Sequence, residues 1–212
     1  MKPEQLIIAL DMQLSHCIDL IYETKDLGTM YKVGLELFVQ DRHALINMLI
    51  DDRRIFLDLK LDDIPTTIRR TVRRLGTPRF LSVQGDADTV NAAIEGRHTV
   101  PGTKIIYVPT LSSREMNAQD FCKKVETAYE AGADGVVTSG WERTMNARNI
   151  GPNKTIIVPG IRLEVLSDDH KYTLTPRAAL SAGADYIVVG RPISQSNTPR
   201  ATVQEILHDP NI

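Results

Sequence analysis

Two stretches of the chain, AGADGVVTS at residues 131–139 and AGADYIVVG at residues 182–190, repeat one pattern. In each, a glycine stands after a helix-like segment and just before an apolar run, as a loop from a helix to a strand requires. The segments that end in these loops, residues 118–133 and 175–184, have the amphipathic pattern of helices. Pro176 stands where the first turn of a helix tolerates proline. The repeat therefore predicts helix, loop and strand in succession.

The same alternation of apolar runs and helix-like segments extends along the chain. The runs predicted as strands are residues 6–10, 31–38, 54–60, 80–84, 104–110, 135–139, 155–160 and 186–190. Eight βα units of roughly 25 residues each match a compact (β/α)8 barrel. No change of composition marks a linker, so we expect one α/β barrel domain over residues 1–212. An open doubly wound sheet is the rival fold, and it is disfavoured because neither GxGxxG nor GxxxxGK[ST] follows any strand.

Composition narrows the class of function. The 212 residues include 25 Lys and Arg against 27 Asp and Glu, with a net charge of -2 and no block of like charge. This balance argues against a nucleic-acid partner and favours a small-molecule ligand or a protein partner. The two cysteines, Cys17 and Cys122, lack metal-ligand spacing, and no apolar run approaches the roughly 18 residues of a membrane span. We expect a soluble, cytoplasmic protein without a metal site or membrane contact.

Charged residues stand where predicted strands end. The stretch FLDLKLDDIP, residues 56–65, places Asp58, Lys60 and Asp63 at the end of the third strand. Because strand side chains alternate, Asp58 and Lys60 point to one face and the leucines between them to the other. Other strand ends carry Asp11, Lys32 and Arg191. Any one of these could be a surface charge at a loop. Together, at the mouth of a barrel, alternating lysines and aspartates keep one another ionised and suit proton delivery to a carbanion.

Small residues and arginines follow the last two predicted strands. Gly160 and Arg162 come after the seventh strand, and Gly190 and Arg191 after the eighth. Barrels often bind phosphate with these loops, where backbone amides approach the anion and a cation neutralises it. We expect Arg191 to bind the phosphate because it starts the loop directly after the strand, whereas Arg162 is equally compatible with a structural role.

The stretch DLKLDDIPTT, residues 58–67, resembles the DxKxxDIPxT signature of the orotidine 5′-phosphate decarboxylases. KVGLELF (32–38), VPGIR (158–162) and AGADYIVVGRPI (182–193) resemble other segments of that family in the same order, so the resemblance covers nearly the whole chain. DxKxxD alone is shared with a wider group of barrel enzymes that act on sugar phosphates, but the continuation DIPxT points to the decarboxylases. The resemblance implies a (β/α)8 barrel that converts orotidine 5′-phosphate to uridine 5′-phosphate without metal, cofactor or covalent intermediate.

The resemblance also implies roles for single residues. Lys60 would protonate C6 of the pyrimidine, Asp58 would lie against the departing carboxylate, and Lys32 would hold Asp58 and touch the ribose. Asp11 would contact the ribose as well. Asp63 and Thr67 would come from a neighbouring subunit to bind the ribose hydroxyls, which implies a homodimer with shared sites. Ser113 matches a serine that hydrogen-bonds the pyrimidine edge, although it could equally cap a helix.

The chain departs from the family pattern in one loop. Residues 162–172 read RLEVLSDDHKY, without the usual proline and glycine, and His170 stands where the family has a glutamine that bridges phosphate and pyrimidine. A histidine cannot copy the donor and acceptor pair of an amide, so we expect altered substrate binding. Gln84 likewise stands where a histidine is common.

Two other functions are compatible with the same residues. One is a Mg²⁺-dependent sugar-phosphate lyase or decarboxylase of the same barrel group, in which an aspartate of the third-strand motif binds the metal and an enediolate forms. The other is a divergent phosphate-binding or regulatory paralogue that has lost turnover through its altered loop.

Overall fold

The computed structural model describes residues 1–40, 54–97, 102–111, 114–163 and 172–209. Eight parallel strands pair in chain order and close into a barrel. The strands are β1 Leu6–Ala9, β2 Met30–Gly34, β3 Ile55–Leu61, β4 Phe80–Val83, β5 Lys104–Tyr107, β6 Gly135–Val137, β7 Thr155–Val158 and β8 Tyr186–Val189. The predicted (β/α)8 barrel is confirmed, and the doubly wound sheet is wrong.

Helices alternate with these strands. They are α1 Leu14–Thr24, α2 at residues 35–40, α3 Pro65–Val72, α4 Ala87–Arg97, α5 Ala118–Glu130, α6 Trp141–Ile150, α7 Pro176–Ser181, α8 Arg191–Ser194 and α9 Pro199–His208. The two helices predicted before the AGAD repeats are present, and each has a side-chain cap. Asn117 accepts the backbone N–H of the third residue of α5, and Thr175 does the same for α7. Within the described ranges, no helix is long and apolar enough to cross a membrane.

The AGAD repeats perform the same structural task in both places. Gly132 and Gly183 have φ angles of +96° and +105°, a left-handed conformation that favours glycine and ends each helix. Asp134 and Asp185 then each accept a backbone N–H of the neighbouring strand at 2.8 Å and form an ion pair with an arginine. The two aspartates therefore secure the amino ends of β5 and β7.

The predicted second strand was too long. The strand ends at Gly34, and residues 35–40 are helical instead of continuing to residue 38. The sequence Leu35, Glu36, Leu37 alternates between apolar and polar residues as a strand would. However, Leu37 and Phe38 both pack against the same apolar core, which two successive strand residues cannot do. Tertiary packing thus selects a helix for this segment.

The barrel interior is filled by one side chain from most strands. Ile7, Met30, Phe56, Phe80, Ile106, Ile157 and Val188 form this inner cluster, and the larger apolar cluster lies between the strands and the helices. Phe80 packs edge-on against Phe56, with ring centroids 6.1 Å apart. Because strand side chains alternate, the residue two positions after each inner residue faces the same interior, nearer to the carboxyl end. On β2, β3 and β4 this next residue is polar, and these residues, Lys32, Asp58 and Ser82, belong to the candidate site.

Candidate active site

Four charged side chains meet at the carboxyl ends of β1, β2 and β3. Lys32 Nζ lies 2.7 Å from Asp11 Oδ1 and 3.7 Å from Asp58 Oδ2, and Lys60 Nζ lies 2.8 Å from the same Asp58 oxygen. The structure therefore brings these four residues together, and their charges alternate in sign in the order Asp11, Lys32, Asp58, Lys60. The two ammonium groups and the two carboxylates thus lie in contact with partners of opposite charge.

Burial differs along this row of charges. The side chains of Lys32 and Asp58 are only 11% and 13% exposed, whereas those of Lys60 and Asp11 are 31% and 58% exposed. A buried charge is tolerated when it is paired and hydrogen-bonded, and the inner pair satisfies this requirement. Lys60 is the lysine that is more accessible to a bound molecule, so its ammonium is the better placed of the two to donate a proton.

Ser82 on β4 completes the environment of Asp58. Its hydroxyl donates to Asp58 Oδ1 at 2.9 Å, and its oxygen accepts the backbone N–H of Lys60 at 2.8 Å. Both oxygens of Asp58 are thereby engaged, one by a hydroxyl and one by an ammonium. The carboxylate is held in one orientation before any ligand arrives.

Lys60 lies at an irregularity of β3. Its φ is +48°, the one positive φ of a residue other than glycine in the described part of the chain. The register between β3 and β4 shifts between Leu57 and Leu61, so the ladder is interrupted at Lys60. A left-handed conformation costs such a residue about 1–2 kcal/mol. Strain of this kind persists where the surroundings enforce it, and it is typical of functional positions.

A cavity of about 200 Å³ connects the charges to the last two βα loops. Asp11 and Lys32 line one side, and the other side is formed by Gly160, Gly190 and Arg191. Arg162 lines the cavity as well. Gly160 has a φ of +77°, so its loop requires glycine. The residues predicted to bind phosphate thus lie next to the charge row, which is the row of Asp11, Lys32, Asp58 and Lys60. The cavity leaves space for an anion between the glycine backbone and the guanidinium of Arg191.

The comparison with known proteins decides the family. The sequence model of the "Orotidine 5'-phosphate decarboxylase / HUMPS family" matches residues 4–206. The chain belongs to this family.

Individual members are similar over almost their whole length. A protein of Jannaschia sp. that is named orotidine 5′-phosphate decarboxylase is 39% identical to this chain, and the alignment covers 99% of each of the two proteins. One of the same name from Methylobacterium nodulans is 37% identical, with 96% of this chain and 94% of that protein covered. The crystal structure of the enzyme of that name from Lactobacillus acidophilus superimposes with a TM-score of 0.83 at 27% identity, covering 99% of this chain and all of that one.

Two residues of the family signature stay apart from the charge row. Asp63 is exposed, and its carboxylate accepts the backbone N–H of Ile64 at 2.7 Å; in the described part of the chain it forms no ion pair. Thr67 is exposed in the first turn of α3. Within one chain, therefore, neither residue contributes to the cavity lined by Asp11 and Lys32.

Two predicted site residues, Ser113 and His170, lie outside the described residues. Ser82, in contrast, is a site residue that the sequence analysis did not name. Its signal was a small polar residue in a strand of bulky apolar ones, two positions after the inner Phe80. Gln84, the other departure from the family pattern, follows β4, and its backbone N–H donates to the carbonyl of Leu61 at 2.9 Å.

Proposed function

We propose that this protein decarboxylates orotidine 5′-phosphate to uridine 5′-phosphate and CO₂, a step of pyrimidine biosynthesis. The observation that carries the proposal is the row Asp11, Lys32, Asp58 and Lys60, with contacts of 2.7–3.7 Å, beside a cavity suited to a phosphate. The names of the family and of the relatives covered almost completely support the same activity. The whole chain, residues 1–212, would act as one catalytic domain in the cytoplasm.

The chemistry follows from the fixed charges. With the substrate carboxylate next to Asp58, two negative groups face each other, and loss of CO₂ relieves their repulsion. The bond from C6 to the carboxylate carbon breaks, and its electron pair stays on C6. The ammonium of Lys60 stabilises this carbanion and transfers a proton to it, then regains a proton from water. Lys32, in ion pairs with both aspartates, would help to hold Asp58 in place.

Substrate binding would use the other residues of the mouth. Arg191, with the backbone amides at Gly160 and Gly190, would bind the phosphate, and Asp11 and Lys32 would contact the ribose. Ser113 would bind the pyrimidine edge, and His170 would replace the bridging amide of other family members; both stay predictions from the sequence.

A homodimer would complete each site. Asp63 and Thr67 are exposed and make no contact with the charge row of their own chain, in the part that the structure describes. Ile64 between them is 67% exposed, an apolar side chain that a neighbouring subunit could cover. We therefore propose that these two residues reach the site of the neighbouring subunit and bind the ribose hydroxyls.

The charge row favours a reaction without metal or cofactor. A Mg²⁺-dependent lyase would need free carboxylate oxygens, whereas both oxygens of Asp58 are engaged, by Lys60 and by Ser82, and one oxygen of Asp11 is engaged by Lys32. The lysines themselves supply the positive charge that a metal would bring to the mouth.

One assay distinguishes the three functions. Purified protein is incubated with orotidine 5′-phosphate in excess chelator, and the loss of substrate absorbance is followed. We expect turnover that neither the chelator nor added Mg²⁺ changes. Turnover that disappears with the chelator and returns with Mg²⁺ would support the lyase. A folded protein that binds uridine 5′-phosphate but releases no CO₂ would be the non-catalytic paralogue.

A further inference from the structure

Arg143 occupies a position that is electrostatically unfavourable. It lies in the first turn of α6 and is only 6% exposed. A cation at a helix amino terminus opposes the helix dipole, and burial removes its hydration. In the described part of the chain its guanidinium contacts no carboxylate. Such a residue lowers stability unless its contacts compensate, so those contacts indicate its role.

The contacts of Arg143 join three loops at the carboxyl ends of the strands. Nη1 donates to Ser139 Oγ at 3.2 Å in the loop after β6. Nη2 donates to the carbonyl of Met116, at the end of the loop after β5, at 3.2 Å. The same nitrogen donates at 3.3 Å to the hydroxyl of Tyr172, at the end of the loop after β7. The ring of Tyr172 also stacks on the guanidinium, 4.3 Å from its carbon, and Phe121 lies 5.7 Å away.

These contacts lie on the functional side of the barrel. Met116, Ser139, Arg143 and Tyr172 line a cavity of about 250 Å³. The loops that they belong to follow strand carboxyl ends, and such loops build the active sites of barrels. Under the proposed function, the loops after β5 and β7 are those that contact the pyrimidine and the phosphate.

We infer that Arg143 is a positioning residue that holds Met116, Ser139 and Tyr172, in the described parts of the loops after β5, β6 and β7, in one arrangement for substrate binding, an inference that rests on the proposed function. If the loops are already in place, the substrate does not spend binding energy on ordering them. Loss of Arg143 would weaken binding of the substrate and of the transition state equally. The effect should therefore appear in KM and leave kcat nearly unchanged.

The geometry requires arginine and not merely a cation. Two nitrogens of the planar guanidinium donate to three acceptors, and each acceptor lies on a different loop. The face of the same guanidinium stacks on the ring of Tyr172. A lysine ammonium cannot copy this fork and stack. Arg143→Lys should therefore behave almost like Arg143→Met, although it keeps the charge.

Arg148 provides a matched control on the same helix. It lies in the last turn of α6, donates to the carbonyl of Gly183 and forms an ion pair with Asp185 at 2.8 Å. These contacts are at the amino ends of the strands, far from the mouth. Arg148→Met should lower the melting temperature without changing KM, and so it reports the effect of lost stability alone.

The experiment compares kcat and KM for orotidine 5′-phosphate in wild type, Arg143→Met, Arg143→Lys and Arg148→Met. We expect both Arg143 variants to raise KM about tenfold, as the loss of one charge-assisted hydrogen bond would, with kcat within about threefold. Amide exchange in residues 114–117 and 172–175 should become faster in Arg143→Met than in Arg148→Met.

Several outcomes would overturn the inference. An unchanged KM in Arg143→Met, or an equal rise in Arg148→Met, would remove the positioning role. A wild-type KM in Arg143→Lys would show that only the positive charge of Arg143 matters, and not its hydrogen bonds or its stacking. A wild-type protein without decarboxylase activity would overturn the proposed function instead, whereas active wild type with an unaffected Arg143→Met variant would overturn only the inference.

Discussion

Lys60 Nζ lies 2.8 Å from Asp58 Oδ2, although the two residues are separated by one position in β3 and Lys60 has a φ of +48°. A regular strand separates the Cβ atoms of such residues by nearly 7 Å, since the rise is about 3.3 Å per residue. The long side chain of Lys60 spans this gap to reach the carboxylate, and the Ser82 hydroxyl links the two residues, because it accepts the backbone N–H of Lys60 and donates to Asp58. The charge pair and the irregular backbone thus occur together in β3.

Replacement of Lys60 by alanine should abolish turnover. Because the ammonium acts mainly as charge forms at C6, we expect kcat to fall at least about a hundredfold. Binding of uridine 5′-phosphate should stay within about tenfold of wild type. Lys104→Ala is the control, because Lys104 is exposed at the start of β5, at the other end of the barrel. Activity of Lys60→Ala above a few per cent of wild type would rule out this lysine as the proton donor.

Replacement of Ser82 by alanine should reduce kcat more than it raises KM. The change removes the hydrogen bond to Asp58 and leaves the backbone N–H of Lys60 without its acceptor. At about 1 kcal/mol for each bond, we expect roughly a tenfold loss of kcat and a small loss of unfolding free energy. Steady-state kinetics and urea unfolding measure the two effects. An unchanged kcat would show that Ser82 does not orient the charge row.

Mixed dimers test the shared site. Lys60→Ala and Asp63→Ala proteins are each expected to be inactive, and they are mixed after dissociation and reassociation. With random pairing, about half of the dimers are mixed, and each has one intact site of two, so roughly a quarter of wild-type activity should return. If subunit exchange is demonstrated and no activity returns, Asp63 serves its own chain.

The buried thiol of Cys17 predicts a loss of stability at alkaline pH. Burial raises the pKa of Cys17 to about 11, from 9.0 for a solvated thiol. Between these values the unfolded chain loses the proton and the folded chain keeps it, so stability falls as pH rises from about 9 to about 11. Cys17→Ala should show a shallower decline of the unfolding free energy over this window. Cys122→Ala, at a less buried position, is the comparison, and parallel curves for Cys17→Ala and wild type would contradict the prediction.

Local patterns were sufficient to predict the barrel. The AGAD repeats, Pro176 and the apolar runs act over a few residues, so a linear reading recovers them, and the strand bounds differ by a residue or two in most cases. The motif of residues 58–67 named Asp58 and Lys60 for the same reason. The predicted end of the second strand was wrong because residues 35–37 alternate in sequence as a strand does. Only the packing of both Leu37 and Phe38 against the core shows that this segment is a helix.

Tertiary structure decided the features that depend on residues far apart in the chain. Ser82 reaches Asp58 across 24 positions, and Arg143 reaches Tyr172 across 29. No local pattern carries such contacts, because they arise only when the barrel closes and strands and loops become neighbours. The positive φ of Lys60 has the same origin, since an isolated chain would relax it, whereas the β4 hydroxyl and the neighbouring strands hold it in place.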